Sequence, residues 1–318
     1  MDKPLISICI PTYNRPDELK ACLDSIIKGL DSGESDLIEI VVTDNSDNDK
    51  TMNMIEQVQA VFPGLKYSLN EQNIGSTENV KLALRTGRGK YLWLMGDDDL
   101  VIPGSVSLVI QRLHSVDYAA VLLNFAQGEH DDPEILTMPN CLFIKTDKTY
   151  EQPENFFDRQ DFINFFGINF MSVQIYRKEY FDQIISEAGA FNKTCYPQSY
   201  IFLLCARLGK IMRIARPCVI WRMPARNRRY VEEHLNDDYI FSNYVDYIKY
   251  AKTIGFRFDD ALLAQTVETK IYNLEYHKRA KIKNKLKSFL LSDRTRPAIA
   301  LLLHYYRIVK MIINKLNK

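Results

Sequence analysis

Residues Lys90 to Leu100 read KYLWLMGDDDL, an apolar and aromatic run that stops against three aspartates. Tyr91 to Met95 are five large apolar residues in a row, the signature of a strand covered on both faces of a parallel sheet. Gly96 lets the chain turn. Asp97, Asp98 and Asp99 then fall at the carboxyl end of that strand, where open α/β sheets bind their ligands. Three neighbouring carboxylates repel one another. A hard divalent cation, Mg²⁺ or Mn²⁺, takes oxygen ligands and bridges to phosphate, so it is the natural counter-charge. An acidic triplet alone is more often a solvated turn; the buried strand before it, and the segment Leu100 to Gly104 read as running straight into a helix, favour a site.

Upstream, the same alternation repeats. Leu5 to Ile10 reads as a strand halted by Pro11, and Asp17 as the cap of a helix whose apolar face is Leu19, Cys22, Leu23, Ile26, Ile27 and Leu30. Ile38 to Thr43 is a second strand, Asp49 to Val61 a second helix, and Leu65 to Leu69 a third strand. Ser76 is read as capping a helix that runs to Thr86, with Gly87 and Gly89 breaking it. Strands and helices alternating at this spacing mean an α/β fold with a mostly parallel sheet flanked by helices. Each strand ends in a polar cluster on the same edge: Pro11, Thr12, Tyr13 and Asn14 after the first, Asp44 after the second, Asn73 after the third. Together they suit a nucleoside diphosphate, with a ring for a base to rest on and, in Asp44, an acceptor for a pyrimidine N–H.

The chain of 318 residues is 46% apolar, ample for a large core, and carries a formal charge of +1. That near-neutrality hides an asymmetry. Tyr276 to Lys318 holds twelve Lys and Arg against one acid, Asp293, a net +11 that leaves −10 on the rest. The six cysteines are scattered in apolar contexts with no CxxC pair, as in a reduced cytoplasmic protein. The start lacks a signal-peptide pattern, and no run of about 18 uncharged apolar residues occurs.

The segments SICIPTYNR (Ser7 to Arg15), IVVTDNS (Ile40 to Ser46), NEQNIGSTENV (Asn70 to Val80) and GKYLWLMGDDDLV (Gly89 to Val101) resemble, in order and spacing, the family 2 glycosyltransferases of the GT-A fold. The resemblance covers Met1 to Phe125 well and continues loosely to Trp221. WLMGDDD is most similar to bacterial O-antigen transferases of the abequosyltransferase-like group. The resemblance implies a nucleotide-sugar donor, a divalent metal and inversion at the anomeric carbon. Thr12, Tyr13 and Asp44 would meet the base, Asp97 the ribose or donor sugar, and Asp98 the metal as the catalytic carboxylate, with Asp99 beside it. Gly96 stands where many members carry the first aspartate of an Asp-x-Asp motif. The family's usual Glu-Asp base pair would fall at Pro197 and Gln198, neither of which accepts a proton. Asp99, Glu187 and His234 remain as alternatives, and no base is assigned.

Beyond the core motifs, Gln127 to Glu154 is polar and punctuated by proline, with a strand expected at Cys141 to Lys145. Asp161 to Phe166 suggests a short helix with Phe162, Phe165 and Phe166 facing the core. Met171 to Arg177 reads as a strand, Lys178 to Ser186 and Tyr200 to Leu208 as helices, Ile211 to Ala215 and Val219 to Arg222 as two short strands. Arg222, Arg226, Arg228 and Arg229 are read either as a solvated loop or as diphosphate-binding arginines. The expected division is a GT-A domain over 1–225 and a helical extension over 226–318, with helices Tyr239 to Thr253 and Asp260 to His277. KRAKIKNKLK (Lys278 to Lys287) and the one-sided helix after Pro297 predict a peripheral site on the inner, anionic face of the cell membrane. A nucleic-acid tail would fit the charge but not the apolar face, and packing in a core or an oligomer would fit the face but not the charge. The reading is an inverting, metal-dependent transferase adding a sugar to a glycan, lipid-linked for choice. A sugar-phosphate nucleotidyltransferase would place a Gly-rich basic loop where PTYNR stands, and a non-catalytic nucleotide- or glycan-binding protein is the remaining alternative.

Overall fold

The computed structural model describes residues 3–128, 144–158, 161, 164–185, 197–222 and 246–258. Most of the Cys141 to Lys145 strand, Phe162, the side chains of Phe165 and Phe166, Glu187, His234, Arg226, Arg228 and Arg229, the Asp260 to His277 helix and the basic segment Lys278 to Lys318 lie outside the described residues.

The elements in chain order are β1 (Ile6–Thr12), α1 (Pro16–Lys28), β2 (Ile38–Asp44), α2 (Lys50–Val61), β3 (Leu65–Leu69), α3 (Ser76–Thr86), β4 (Tyr91–Leu94), β5 (Leu100–Val101), α4 (Ser105–Ser115), β6 (Ala120–Gln127), β7 (Lys148–Tyr150), α5 (Asn164–Gly167), β8 (Gln174–Arg177), α6 (Lys178–Ile184), α7 (Pro197–Ala206) and β9 (Ile211–Trp221). They build one sheet in the order β3-β2-β1-β4-β8-β6-β9-β5, with β7 on the side of β9. The β3-β2-β1-β4 half is wholly parallel. β8 then enters antiparallel between β4 and β6, and β9 runs parallel to β6. From β1 the chain goes to β2 on one side and later to β4 on the other, so the carboxyl ends of β1 and β4 flank a switch point, the crevice where such sheets take ligands.

The parallel strands carry continuous apolar runs because both faces are covered. Every residue of β2 and β4 is buried, and Trp93, Tyr91, Tyr176 and Phe202 are among the largest enclosed side chains. Gly89 is fixed by a close approach: a Cβ there would lie 2.6 Å from the Ser7 backbone nitrogen, so only glycine lets the chain cross the edge of β1 into β4. Residues 246–253 are helical, and Tyr247, Ile248, Ala251 and Phe256 join the same core, with the Tyr247 ring 5.5 Å from Tyr200.

At several junctions the chain departs from its local signals. Asp17 does not cap α1; the helix starts at Pro16, whose fixed φ suits a first helical position, and Asp17 sits inside the first turn. Ser76 is the first residue of α3 and not its cap, which is Gly75 at φ 83°. Leu100 and Val101 do not start a helix but pair antiparallel with β9, and α4 begins only after Gly104. Met171 to Val173 form a 3-10 turn ahead of a shorter β8. The two strands expected either side of Pro217 are one. Pro217 lies opposite Asn124, where the β6/β9 ladder shifts register, so its missing N–H costs the ladder little.

Candidate functional site

Four strand ends converge on the crevice. At its centre the chain after β4 turns back on itself, the Asp99 N–H donating to the Gly96 carbonyl at 3.3 Å. A Cβ on Gly96 would meet Asp99 Oδ2 at 2.9 Å and Ser172 Oγ at 3.2 Å, which accounts for glycine at a position where a longer side chain would strike its own neighbours. Ser172 Oγ takes that space: it accepts the Gly96 N–H at 2.9 Å and donates to Asp99 Oδ2.

The three aspartates have different partners. Asp97 Oδ2 accepts from Thr12 Oγ1 at 2.7 Å, joining the ends of β4 and β1 across the switch point. Asp97 Oδ1 and Asp98 Oδ2 each lie 3.0 Å from the same nitrogen, Arg15 Nη1. Asp99 Oδ1 accepts the Arg222 N–H at 3.3 Å, while the Arg222 side chain donates to the carbonyls of Asp98 (2.7 Å) and Glu18 (3.3 Å). Arg222, one of the four arginines singled out in the sequence, therefore braces the turn. Burial pushes the Asp97 carboxyl up to about 6, against the pull of Arg15 and with help from Asp98. Burial, then Asp98, hold the Asp99 carboxyl well above the ordinary range.

The β1 and β2 ends form a second group. Asn14 holds φ 54°, a left-handed conformation that asparagine tolerates better than most residues. Its N–H donates to Ser46 Oγ at 2.8 Å. Tyr13 is 44% exposed. Asp44, by contrast, has no exposed surface: its Oδ1 accepts from Ser46 and its Oδ2 from the Tyr67 hydroxyl at 2.9 Å. Pro11 sits within β1 opposite Thr43. Asn73 is exposed and accepts the Gly75 N–H at 2.8 Å, as a turn residue does. Asn79 went unnoticed in the sequence. Buried, it donates to the Thr12 and Thr43 carbonyls and accepts from Asn70, tying together the ends of the three parallel strands.

On the far side of the turn, the rings of Phe125, Phe170 and Trp221 gather with centroids 4.6 to 6.4 Å apart, one residue from Arg222 and two from Ser172. Within the described part of α7, Pro197–Ala206, Gln198 is buried and donates to the Asn169 carbonyl at 3.0 Å. An open hollow of about 470 Å³, lined by Lys3, Lys90, Arg177 and Glu179 among others, lies near the amino ends of the strands, remote from this chemistry.

Residues 7–184 match the model of "Glycosyl transferase family 2". The chain belongs to that family. It is 30% identical over 227 residues to abequosyltransferase RfbV of Salmonella typhimurium, a stretch that is 69% of this chain and 66% of that protein. Its fold is similar to two GT-A glycosyltransferases. One is TarS residues 1–349 of S. aureus in complex with UDP (TM-score 0.58, 16% identity, covering 95% of this chain and 87% of that one). The other is the mannosyltransferase PcManGT of Pyrobaculum calidifontis in complex with GDP-Man and Mn²⁺ (TM-score 0.51, 15% identity, 100% and 89%). The family 2 match runs from β1 through α6 and so contains every element that shapes the aspartate turn except β9.

Whether a divalent cation suits this family 2 site is decided by its donors. They are carboxylate oxygens, the ligands hard cations take. Among the described residues no three His, Cys, Asp or Glu side chains converge into a cage. Asp97 and Asp99 spend their oxygens on Thr12, Arg15, Ser172 and Arg222. Asp98, the least buried of the three, keeps its Oδ2 on Arg15 Nη1 at 3.0 Å. That arrangement fits the partial site typical of Mg²⁺, in which one or two carboxylates are completed by water and substrate phosphate.

Proposed function

We propose that the protein transfers a sugar, with inversion, from a nucleotide-sugar donor to a glycan acceptor, lipid-linked, in the synthesis of a bacterial surface polysaccharide of O-antigen type. The observation that carries the reading is the meeting of Thr12, Arg15 and Asp97 to Asp99 at the switch point of a family 2 chain. In this reading the loop Pro11 to Asn14 receives the base, with the Tyr13 ring beneath it. Asp97, held by Thr12, faces the ribose or donor sugar. Asp44 reaches a pyrimidine N–H only if Tyr67 swings aside, and otherwise acts through Tyr67 and Ser46. Asn73 borders the donor from the loop after β3.

Asp98, with Asp99 behind it, would hold a Mg²⁺ or Mn²⁺ whose Lewis acidity neutralises charge on the departing diphosphate; the Mn²⁺ in the PcManGT complex supports this assignment. Ser172 and Arg222 keep the aspartate turn rigid, so that little reorganisation accompanies donor binding. The Phe125, Phe170 and Trp221 rings suit the apolar face of an acceptor sugar. The acceptor hydroxyl must lose a proton, and Gln198, at the position matching the family's usual base, takes none.

Asp98→Asn is expected to abolish metal-dependent release of nucleoside diphosphate from a panel of nucleotide sugars with Mn²⁺, while circular dichroism stays that of the wild type. Full activity in Asp98→Asn overturns the metal assignment. A wild type that binds nucleotide but releases nothing supports the second reading, a non-catalytic binding protein, which Gln198 favours.

A further inference from the structure

Two positive charges have a claim on one carboxylate. Arg15 Nη1 stands 3.0 Å from Asp98 Oδ2 and 3.0 Å from Asp97 Oδ1, so the guanidinium already supplies counter-charge to two of the three adjacent aspartates. Arg15 is the N-cap residue of α1, and its place is fixed by a rigid helix start. Its side chain is 27% exposed, against 8% for Asp97 and 17% for Asp98, which leaves it a flank from which to turn outward. A doubly charged ion bound at Asp98 would lie within a few ångströms of this guanidinium, and like charges at that range repel strongly where water is scarce.

We propose that Arg15 is a positioning residue that competes with the divalent cation for Asp98, so that the ion is held tightly only together with a nucleoside diphosphate. This rests on the donor and metal assignments above. The diphosphate does two things that Asp98 alone cannot. Its oxygens complete the coordination of the ion, and they receive the displaced guanidinium, whose planar fork matches phosphate in two hydrogen bonds. Cation and diphosphate then bind with positive coupling, and by linkage each raises the affinity of the other by the same factor. When no cation is bound, Arg15 offsets part of the negative charge of the aspartate turn.

The test is Mn²⁺ binding, read from the free-ion signal in electron paramagnetic resonance, on full-length protein alone and with UDP, GDP, CDP or dTDP, corrected for the affinity of each nucleotide for Mn²⁺. Wild type is expected to bind Mn²⁺ weakly alone and at least about tenfold more tightly with the diphosphate it accepts, within the usual range of such coupling. Arg15→Gln is expected to bind Mn²⁺ alone about tenfold more tightly than wild type and to lose most of the enhancement, while Arg15→Lys keeps part of it. An Arg15→Gln protein that binds Mn²⁺ no better than wild type, or less well, overturns the proposal and makes Arg15 a group that merely orients Asp98. So does a wild type whose Mn²⁺ affinity is the same with and without nucleotide, a result that needs no variant to fold. If no diphosphate binds wild type at any Mn²⁺ concentration, the function proposed above fails; if one binds and Arg15→Gln changes nothing, the competition alone fails.

Discussion

Ser172 Oγ has two obligations, accepting from the Gly96 N–H and donating to Asp99, and no water-exposed surface through which a replacement partner could come. Ser172→Ala is expected to leave the buried Gly96 amide without an acceptor and Asp99 Oδ2 without a donor. Leaving such a group unpaired costs about 1–3 kcal/mol, measurable as a lower urea midpoint at unchanged m-value. A midpoint within error of wild type would mean that the turn holds itself. The same residue marks the limit of sequence reading at this scale. Asp97, Asp98 and Asp99 were legible because they are contiguous and end a buried strand. Ser172 lies 73 residues from Asp99, in a segment whose apolar pattern suggested an ordinary strand, so nothing local announced it. Arg15 was visible only as the last letter of PTYNR; that it would bridge two of the aspartates is a property of the β1/β4 pairing.

At the scale of the element, β2 carries an acid in an otherwise apolar run. Glu39 pairs in register with Ser7 of β1, accepts from its hydroxyl and from the Arg88 N–H, and meets Lys66 Nζ at 2.6 Å. Burial opposes ionisation, but Lys66, Ser7 and Arg88 together outweigh it and lower the Glu39 pKa below its ordinary 4.5. An acid whose folded value lies below its unfolded one adds stability that is complete above about pH 4.5 and drains away as pH falls through the folded value. Glu39→Gln is therefore expected to lower stability by about 1–3 kcal/mol at neutral pH and to flatten the loss between pH 5 and 3. Denaturant titrations across that range check it; parallel curves for the two proteins would count against the network. The strands β1 to β4 and their helices were readable from hydrophobic period alone, because parallel strands between two helical layers leave a strong, repeated imprint. The order beyond β4 was not. β8 enters the sheet antiparallel between β4 and β6, and β5 pairs with a strand more than a hundred residues later, choices made by packing that no local pattern encodes.

For the whole molecule, the sign of the charge changes along the chain. The +11 of Tyr276 to Lys318 opposes the −10 of the remainder, and each Lys or Arg near an anionic leaflet contributes roughly 1 kcal/mol of attraction. No helix among the described residues is long and apolar enough to cross a membrane. We propose a peripheral association with the membrane through that basic segment. Deleting Lys278 to Lys318 is expected to move the protein from the membrane fraction to the supernatant after cell lysis, with nucleotide binding retained; an unchanged distribution rejects the anchor. The two tryptophans, finally, sit at opposite depths. Trp93 is fully enclosed and donates to the Ser172 carbonyl at 2.9 Å, whereas Trp221 is partly open beside Phe125 and Phe170. Intrinsic emission is therefore expected to have two separable colours. A blue-edge component from Trp93 reports melting of the sheet, and a red-edge, quencher-accessible one from Trp221 follows occupancy of the crevice, with no dye attached.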